Sequence, residues 1–412
     1  MIDSEDLLQR FLSYVQIDTQ SDAHSTTTPS STRQWTLIRQ LESELRGLGL
    51  KDVRVTEFGY VLATVPPTSK KAAVPRVALL AHVDTAEGCA GRAKPLVHRA
   101  WAGERIVLPD DPSQVISVED SPALRGKTGE DIITGSGRSL LGADDKAGVA
   151  SIMAAVRYLL RHPEVAHGPV RVCFNPDEEI GRGTEKLSIE ELAADVAYTL
   201  DSEGLGRIDC ETFNADKAVL TIQGVASHPG HAKNVMVNAL RLAASFVQRL
   251  PMSAAPETTS GREGFLHPIE IRGTPERAEI VLIVRDFELD GLAAKHKLLQ
   301  EEADRLAAEH PRAKIDLRVS MQYRNMRYGL DKDTRPLDFA MEAVRRVGLT
   351  PKKDSIRGGT DGSHLTERGL PTPNIFAGGH NFHSPREWVS LQDMVKSAET
   401  IVRLLSIWEE RG

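Results

Sequence analysis

The sequence predicts an α/β fold: a mixed sheet flanked by helices, into which an α+β two-layer sandwich is inserted. Three observations carry this. Apolar strand segments alternate with amphipathic helices up to about residue 212, the pattern of an α/β sheet. From Phe213 the order becomes strand-helix-strand-strand-helix-strand, with the helices on one side. From about residue 326 the α/β pattern resumes. The expected organisation is one domain in two parts, 1–212 and 326–412, interrupted by a second over 213–325. At 412 residues the chain is long enough for two cores.

Leu7, Leu8, Phe11, Leu12 and Val15 fall at helical spacing and predict a helix over 3–16. The Ser- and Thr-rich stretch 21–32 reads as a loop, and a second helix over 33–48 ends at Gly47-Leu48-Gly49. Val53 to Thr56 and Val61 to Val65 predict two short strands joined by a Gly turn. Residues 76–85, R-V-A-L-L-A-H-V-D-T, are an apolar run with a polar end, as expected of a central strand buried on both faces. Residues 86–139 are largely irregular and are expected to cover the rim of a site, with Asp131-Ile132-Ile133-Thr134 as a β-type approach to the Gly-rich stretch that follows. From Leu140 the chain reads L-L-G-A-D-D-K-A-G-V-A and enters a helix near Ala147, with Val149, Ile152, Met153 and Val156 on one face. Strands at Val170 to Phe174 and Val196 to Leu200 follow.

In the inserted segment, Val219 to Gln223 reads as a strand, and a long helix opens within 226–238 and runs to about Leu250. A strand over 279–287, a helix over 290–309 and a strand over 314–321 complete it. The chain closes with a helix over 335–346, a short strand around 372–377 and a last helix over 391–409.

Composition narrows the function classes. The net charge of −7 argues against a general nucleic-acid binder, which needs a basic surface. Cys89, Cys173 and Cys210 form no C-x-x-C pair and no even disulfide framework, which fits a reducing compartment. The acidic N-terminus M-I-D-S-E-D has no apolar h-region, and no apolar run approaches the ~18 residues of a membrane span. A cytoplasmic protein, bound neither to membrane nor to nucleic acid, is expected.

The chemistry lies just past the strands. His82 and Asp84 are two apart and share a face. Sites in open α/β sheets lie at the carboxyl ends of strands. Asp144 sits at a loop-to-helix junction, Asp177 to Glu179 follow one strand, Asp201 ends another, and His383 lies in a polar loop with His380, Asn381 and Ser384. Each alone has a plainer reading. Asp144 or Asp145 could cap the helix; the acidic triplet could be a solvated turn, Asp201 a turn former. Together, two His and several carboxylates ending strands of one sheet form a donor set for Zn²⁺, Mn²⁺ or Co²⁺.

Six strings carry a family resemblance: H-V-D at 82–84, G-A-D-D-K-A-G at 142–148, D-E-E at 177–179, H-P-G-H-A-K-N-V-M-V-N-A-L from His228, I-R-G-G-T-D-G from Ile356 and F-A-G-G-H-N-F-H-S from Phe376. With them the chain resembles the co-catalytic di-zinc exopeptidases, the family of glutamate carboxypeptidase, acetylornithine deacetylase and peptidase T. The tripeptide aminopeptidase branch is the nearest. The resemblance implies a zinc-exopeptidase-like sheet, with the insert as a lid. It implies two Zn²⁺ per chain, with Mn²⁺ or Co²⁺ as substitutes. Asp144 would bridge them, with His82 and Asp201 completing one site and Glu179 and His383 the other. Asp84 would accept a hydrogen bond from His82 and fix its tautomer. Glu178 would be the general base, and His228, on the lid, the oxyanion donor after closure. The implied reaction is removal of the first residue of a tripeptide by a metal-bridging hydroxide. Two divalent ions against three ligand carboxylates leave one positive charge for that hydroxide. Arg285 and Arg357 are candidates for a bidentate grip on the peptide carboxylate, although Arg285 could instead pair with Asp286 or Glu288.

Two other readings share these residues. One is a carboxypeptidase or N-acyl-amino-acid deacylase on the same scaffold. The other is a non-catalytic metal- or peptide-binding protein, which would need neither Glu178 nor His228. The chain departs from the family pattern at Val83, where Met is common, at D-S-E-G from Asp201, where D-G-G is usual, and at H-S-P from His383, where H-G is usual. Glu203 thereby adds a negative charge near Asp201.

Overall fold

The central sheet forms where the sequence is most apolar. In the computed structural model, which describes residues 1–88 and 91–412, every residue of the strand Val77–His82 is buried. Cys89 lies outside the described residues. The sheet has eight strands, in the order Val53–Val55, Val61–Val65, Val170–Asn175, Val77–His82, Val196–Ser202, Asn374–Phe376, Arg207–Thr212 and Lys352–Ile356. Val77–His82 runs parallel to Val170–Asn175 and to Val196–Ser202, and Asn374–Phe376 runs parallel to Val196–Ser202. Val61–Val65 pairs antiparallel, so the sheet is mixed. The consequence for function is positional. Four parallel strands end on one edge, and their ends lead to His82, the 177–179 turn, Asp201 and the 379–383 loop.

Helices Ser4–Val15, Ala143–Arg161 and Leu391–Arg411 pack on one face through Phe11, Ile152, Met153, Ile401 and Trp408 against Leu79 and Tyr198. Two of them begin at caps the sequence supplies: Asp3 Oδ1 accepts from Asp6 N at 3.1 Å, and Ser390 Oγ from Gln392 N at 3.1 Å. The opposite face buries Leu80 and Cys173 against Tyr60, Leu192 and Leu365. Burial on both faces is what the continuous apolar run 76–85 predicts.

Residues 86–139 are more regular than their sequence suggests. Leu96–His98 and Ile132–Thr134 join Trp388–Ser390 and Gly379–His380 in a small four-stranded sheet. Trp101, Leu108, Ile132 and Trp388 form its core. Apart from the β-type stretch at 131–134, these strands of two or three residues show no period in the sequence. His380 stacks on Trp388 there, ring centroids 4.3 Å apart. Burial, reinforced by the Lys127 charge, pushes His380 down to about 4. The unfolded chain keeps the ordinary histidine value of about 6.5, so below that pH it binds a proton the folded state refuses. Folding stability therefore falls as pH drops. His380 is expected to contribute on the order of 2 kcal/mol to the loss between pH 7 and pH 5. Urea denaturation of a His380→Gln variant should show a correspondingly shallower fall; identical pH dependence in both proteins would contradict it.

The chain divides into two compact units: Met1–Cys210 with Gly329–Asp354 and Thr360–Gly412, and Glu211–Tyr328 with Ser355–Gly359. The second unit holds a four-stranded antiparallel sheet in the order Phe265–Gly273, Arg277–Asp286, Asn214–Gln223, Lys314–Tyr323. Helices Ala239–Arg249 and Leu289–Glu309 cover one face through Leu242, Phe246 and Leu299 on Leu220 and Ile280. The helix expected to open within 226–238 begins only at Ala239, where Asn238 Oδ1 caps it by accepting from Arg241 N at 3.2 Å. Pro229 and Gly230 confine the preceding stretch to a turn. The expected order places two strands between the helices but locates only one; the other is the edge strand Phe265–Gly273, whose alternation is broken by Pro268 and a register shift before Glu270. Among the described residues no helix is long and apolar enough to cross a membrane.

Candidate metal centre

His82, Asp144, Glu179, Asp201 and His383 meet at the carboxyl edge of the central sheet. His82 closes its strand, and its Nε2 lies 2.9 Å from Asp144 Oδ1 and 3.8 Å from Asp201 Oδ1. The other Asp144 oxygen, Oδ2, lies 3.2 Å from His383 Nε2, which is also 2.9 Å from Glu179 Oε2. Asp144 thus faces both imidazoles at once. Two groups of donors lie close enough to share an ion, His82 with Asp144 and Glu179, and His82 with Asp145 and Asp201; within each group the atoms are all within 4.8 Å.

Local backbone explains why Asp144 can do this. The helix Ala143–Arg161 is irregular at its start, where Asp144 and Asp145 have non-helical angles. Neither carboxylate caps the helix, contrary to the plainer sequence reading. Asp145 turns the other way, fully buried, with Oδ2 accepting from the His82 backbone N–H at 3.3 Å.

Asp84 behaves partly as anticipated. The nearest acceptor to His82 Nδ1 is the Asp84 carbonyl oxygen at 3.1 Å, with carboxylate Oδ1 at 3.4 Å. Both acceptors favour a proton on Nδ1, leaving Nε2 to face the ligand carboxylates. The Asp84 carboxylate also accepts from the backbone N–H groups of Glu178 at 3.1 Å and Glu179 at 3.2 Å. It therefore holds the acidic turn as well as the imidazole. Asp177 completes that turn with a left-handed backbone, φ +63°, and a buried carboxylate. That carboxylate accepts from Ser30 N at 2.8 Å and from Gln34 Nε2 at 2.7 Å.

Three buried carboxylates near the centre were not singled out by sequence: Asp145, Asp361 and Glu387. Asp361, in R-G-G-T-D-G, accepts from Asn175 Nδ2 at 2.6 Å. Glu387 accepts from Gly142 N at 2.7 Å and Asp144 N at 2.9 Å. Asp145 stands in the D-D pair and Asp361 in the R-G-G-T-D-G string, while nothing read from the sequence marks Glu387.

The electrostatics call for cations. Burial, with the Asp144 charge, lifts Glu179 to about 7, against the pull of His383. Burial lifts Asp201 to about 6, opposed by its contact with His82. Burial raises Glu178 well above the carboxylate range, and the charges of Asp201, Asp361 and Glu179 add to this. Burial opposes ionisation of Asp144 too, but hydrogen bonds from His383 and His82 hold it below the ordinary range. Hydrogen bonds donated to Asp144 and Glu179 raise His383 to about 11. No Lys or Arg is paired with Asp144, Glu179 or Asp201 among the described residues. Glu179 Oε1 and Asp145 Oδ1 are buried without a hydrogen-bond partner. Crowded carboxylates with imidazoles and orphaned oxygens suit divalent metal ions.

The remaining candidates belong to the second unit. His228 is exposed, and its Nδ1 accepts from Gly230 N at 3.1 Å, which assigns the ring proton to Nε2. Arg285 is buried. It donates to the carbonyls of Asp216 at 3.2 Å and Val284 at 3.0 Å, with its guanidinium carbon 5.5 Å from the Tyr323 ring centroid. It makes no ion pair among the described residues, for Asp286 pairs with Lys295 at 2.6 Å and Glu288 with Arg262 and Arg327. Arg357 donates to the carbonyls of Gly261 and Glu263, both at 2.8 Å, and to Thr259 Oγ1 at 3.0 Å.

Comparison with known proteins follows this geometry. Residues 136–407 match the model of peptidase family M20/M25/M40. Peptidase T of Geobacillus thermodenitrificans is 44% identical over 99% of both chains, and peptidase T of Listeria innocua 43% identical over the same shares. Among solved structures, a tripeptidase from Staphylococcus aureus superposes with a TM-score of 0.76 at 22% identity, covering 100% of both chains. At that identity the likeness is one of fold.

Proposed function

The chain belongs to peptidase family M20/M25/M40 and, within it, to the peptidase T group; from that premise we propose that it is a metallo-aminopeptidase releasing the first residue of tripeptides. The observation that carries the reading is Asp144, whose two oxygens face His82 and His383 at 2.9 and 3.2 Å. His82, Asp144 and Asp201 would hold one Zn²⁺, and Asp144, Glu179 and His383 a second, with Mn²⁺ or Co²⁺ as substitutes. When bound, such ions polarise the scissile carbonyl and lower the pKa of water.

The chain's own groups supply the rest. Glu178 takes the water's proton and returns it to the leaving amine, acting as general base and then general acid. Asp84, accepting from the Glu178 and Glu179 amides, orients base and ligand together. His228 carries its proton on Nε2, as an oxyanion donor must. Arg285 is the first candidate for the substrate carboxylate, because its buried guanidinium has no acidic partner among the described residues. Arg357 is second, since carbonyls already engage it. We take residues 213–325 as the lid domain and the cytoplasm as the working compartment.

The test is hydrolysis of one tripeptide, free and N-acetylated. Release of the first residue from the free peptide alone is expected. Cleavage of the acetylated form would move the protein to the deacylases or carboxypeptidases.

A further inference from the structure

We infer that Glu387 is a positioning residue for the metal centre: it holds the backbone at Gly142 and Asp144, so that the Asp144 side chain is free to face both imidazoles. The inference rests on the proposed metal centre. A helix start leaves N–H groups without intrahelical partners. Asp is among the residues that commonly supply the missing acceptor from their own side chains. Here Gly142 occupies the N-cap position, at φ +80°, and no side chain of the helix caps it. Glu387 takes that duty from more than two hundred residues away, Oε2 accepting from Gly142 and Oε1 from Asp144. It is 1% exposed and forms no ion pair among the described residues. A carboxylate buried in this way is costly unless hydrogen-bonded, and among the described residues these two N–H groups donate to it.

The chain around Glu387 gives the contact a second effect. His383 lies four residues earlier in the same loop, and Glu387 N donates to Ser384 O at 3.0 Å. Trp388, the next residue, pairs with Thr134 in the small sheet. Glu387 therefore ties the loop carrying His383 to the backbone carrying Asp144, keeping two donors of the centre in register. Without it, Asp144 or Asp145 can return to the capping role their residue type favours, and the facing of the imidazoles is lost.

The test uses Glu387→Gln, which keeps the size but sets an amide N–H₂ against one of the two backbone donors. Zn²⁺ affinity, measured against a competing chelator, is expected to fall about 10- to 100-fold. It should fall at both sites together. The amides of Gly142 and Asp144 should exchange hydrogen faster than in the parent. The kinetic loss should lie in kcat rather than KM and be recovered in excess Zn²⁺. Glu387→Asp, one methylene shorter, should show an intermediate loss, and it decides the matter if the Gln variant does not fold. Asp393→Asn is the control, because Asp393 is also buried and pairs with Lys127 at 2.5 Å. It should lower thermal stability and leave Zn²⁺ affinity alone. Parental affinity and exchange in Glu387→Gln would overturn the proposal, as would an equal loss of affinity in Asp393→Asn. Should the parent bind no Zn²⁺, the proposed function fails, while amide exchange at Gly142 and Asp144 still decides the role of Glu387.

Discussion

Replacing Glu178 by Gln is expected to lower kcat by about 10²- to 10⁴-fold, the usual worth of general acid–base catalysis, while metal content stays at the parental level. The two effects should separate because the proposed duties of Glu178 and Glu179 differ although they share one turn. Asp84 fixes both through their backbone amides, so a side-chain change at Glu178 leaves the Glu179 amide and its contact with His383 in place. Gln keeps shape and polarity but accepts no proton near neutral pH. Burial and the neighbouring carboxylates raise the proton affinity of the native side chain. Steady-state kinetics with elemental analysis of the same sample checks this. Full turnover with parental metal would remove Glu178 from the mechanism.

Asp144→Asn is expected to cost more. Metal affinity should fall at both sites, beyond the ~10- to 100-fold typical of losing an outer hydrogen-bond partner, and kcat/KM should fall with it. The reason is the shared position of this carboxylate, whose two oxygens face different imidazoles. An Asn side chain offers one oxygen, and its nitrogen cannot act as a donor to metal. Asp201→Asn and Glu179→Gln, each facing one imidazole, should weaken one site and spare the other. Metal content after dialysis, compared across the three variants, checks the ordering. Retention of both metals by Asp144→Asn would contradict the bridging role.

Much of the first unit is legible in the sequence, because strands buried on both faces write long apolar runs. Val77–His82 and Val170–Asn175 announce themselves in this way, and the polar residues that follow them mark the site. Edge and miniature elements are legible only in part: the three-residue strands Val53–Val55 and Asn374–Phe376 are expected from the sequence, others are not. Lys352–Ile356 is a polar strand at the end of the sheet and shows no periodicity, whereas Ile132–Thr134 is legible as the β-type approach to the Gly-rich stretch before Asp144. His82, Glu179 and Asp201 could be picked out because they end or follow apolar strands; Asp144, at a loop-to-helix junction, and His383, in a polar loop, are joined to them as ligands by the family resemblance. The second layer could not be picked out. Glu387 and Asp361 owe their roles to partners brought by the fold, Gly142 and Asp144 for one and Asn175 for the other. The two arginines show the same limit. Nothing local in the sequence says that Arg357 is engaged by carbonyls of the 259–263 loop while Arg285 is left without an acid.

The central claim is that one carboxylate, Asp144, is shared by two metal ions. Anomalous diffraction from crystals of the Zn²⁺-loaded protein tests it most directly. The account predicts two anomalous peaks about 3.5–4 Å apart, the spacing of two-metal hydrolytic sites. One should be ligated by His82 and Asp201, the other by Glu179 and His383, with Asp144 between them. A single peak, or peaks ligated by other residues, would contradict it.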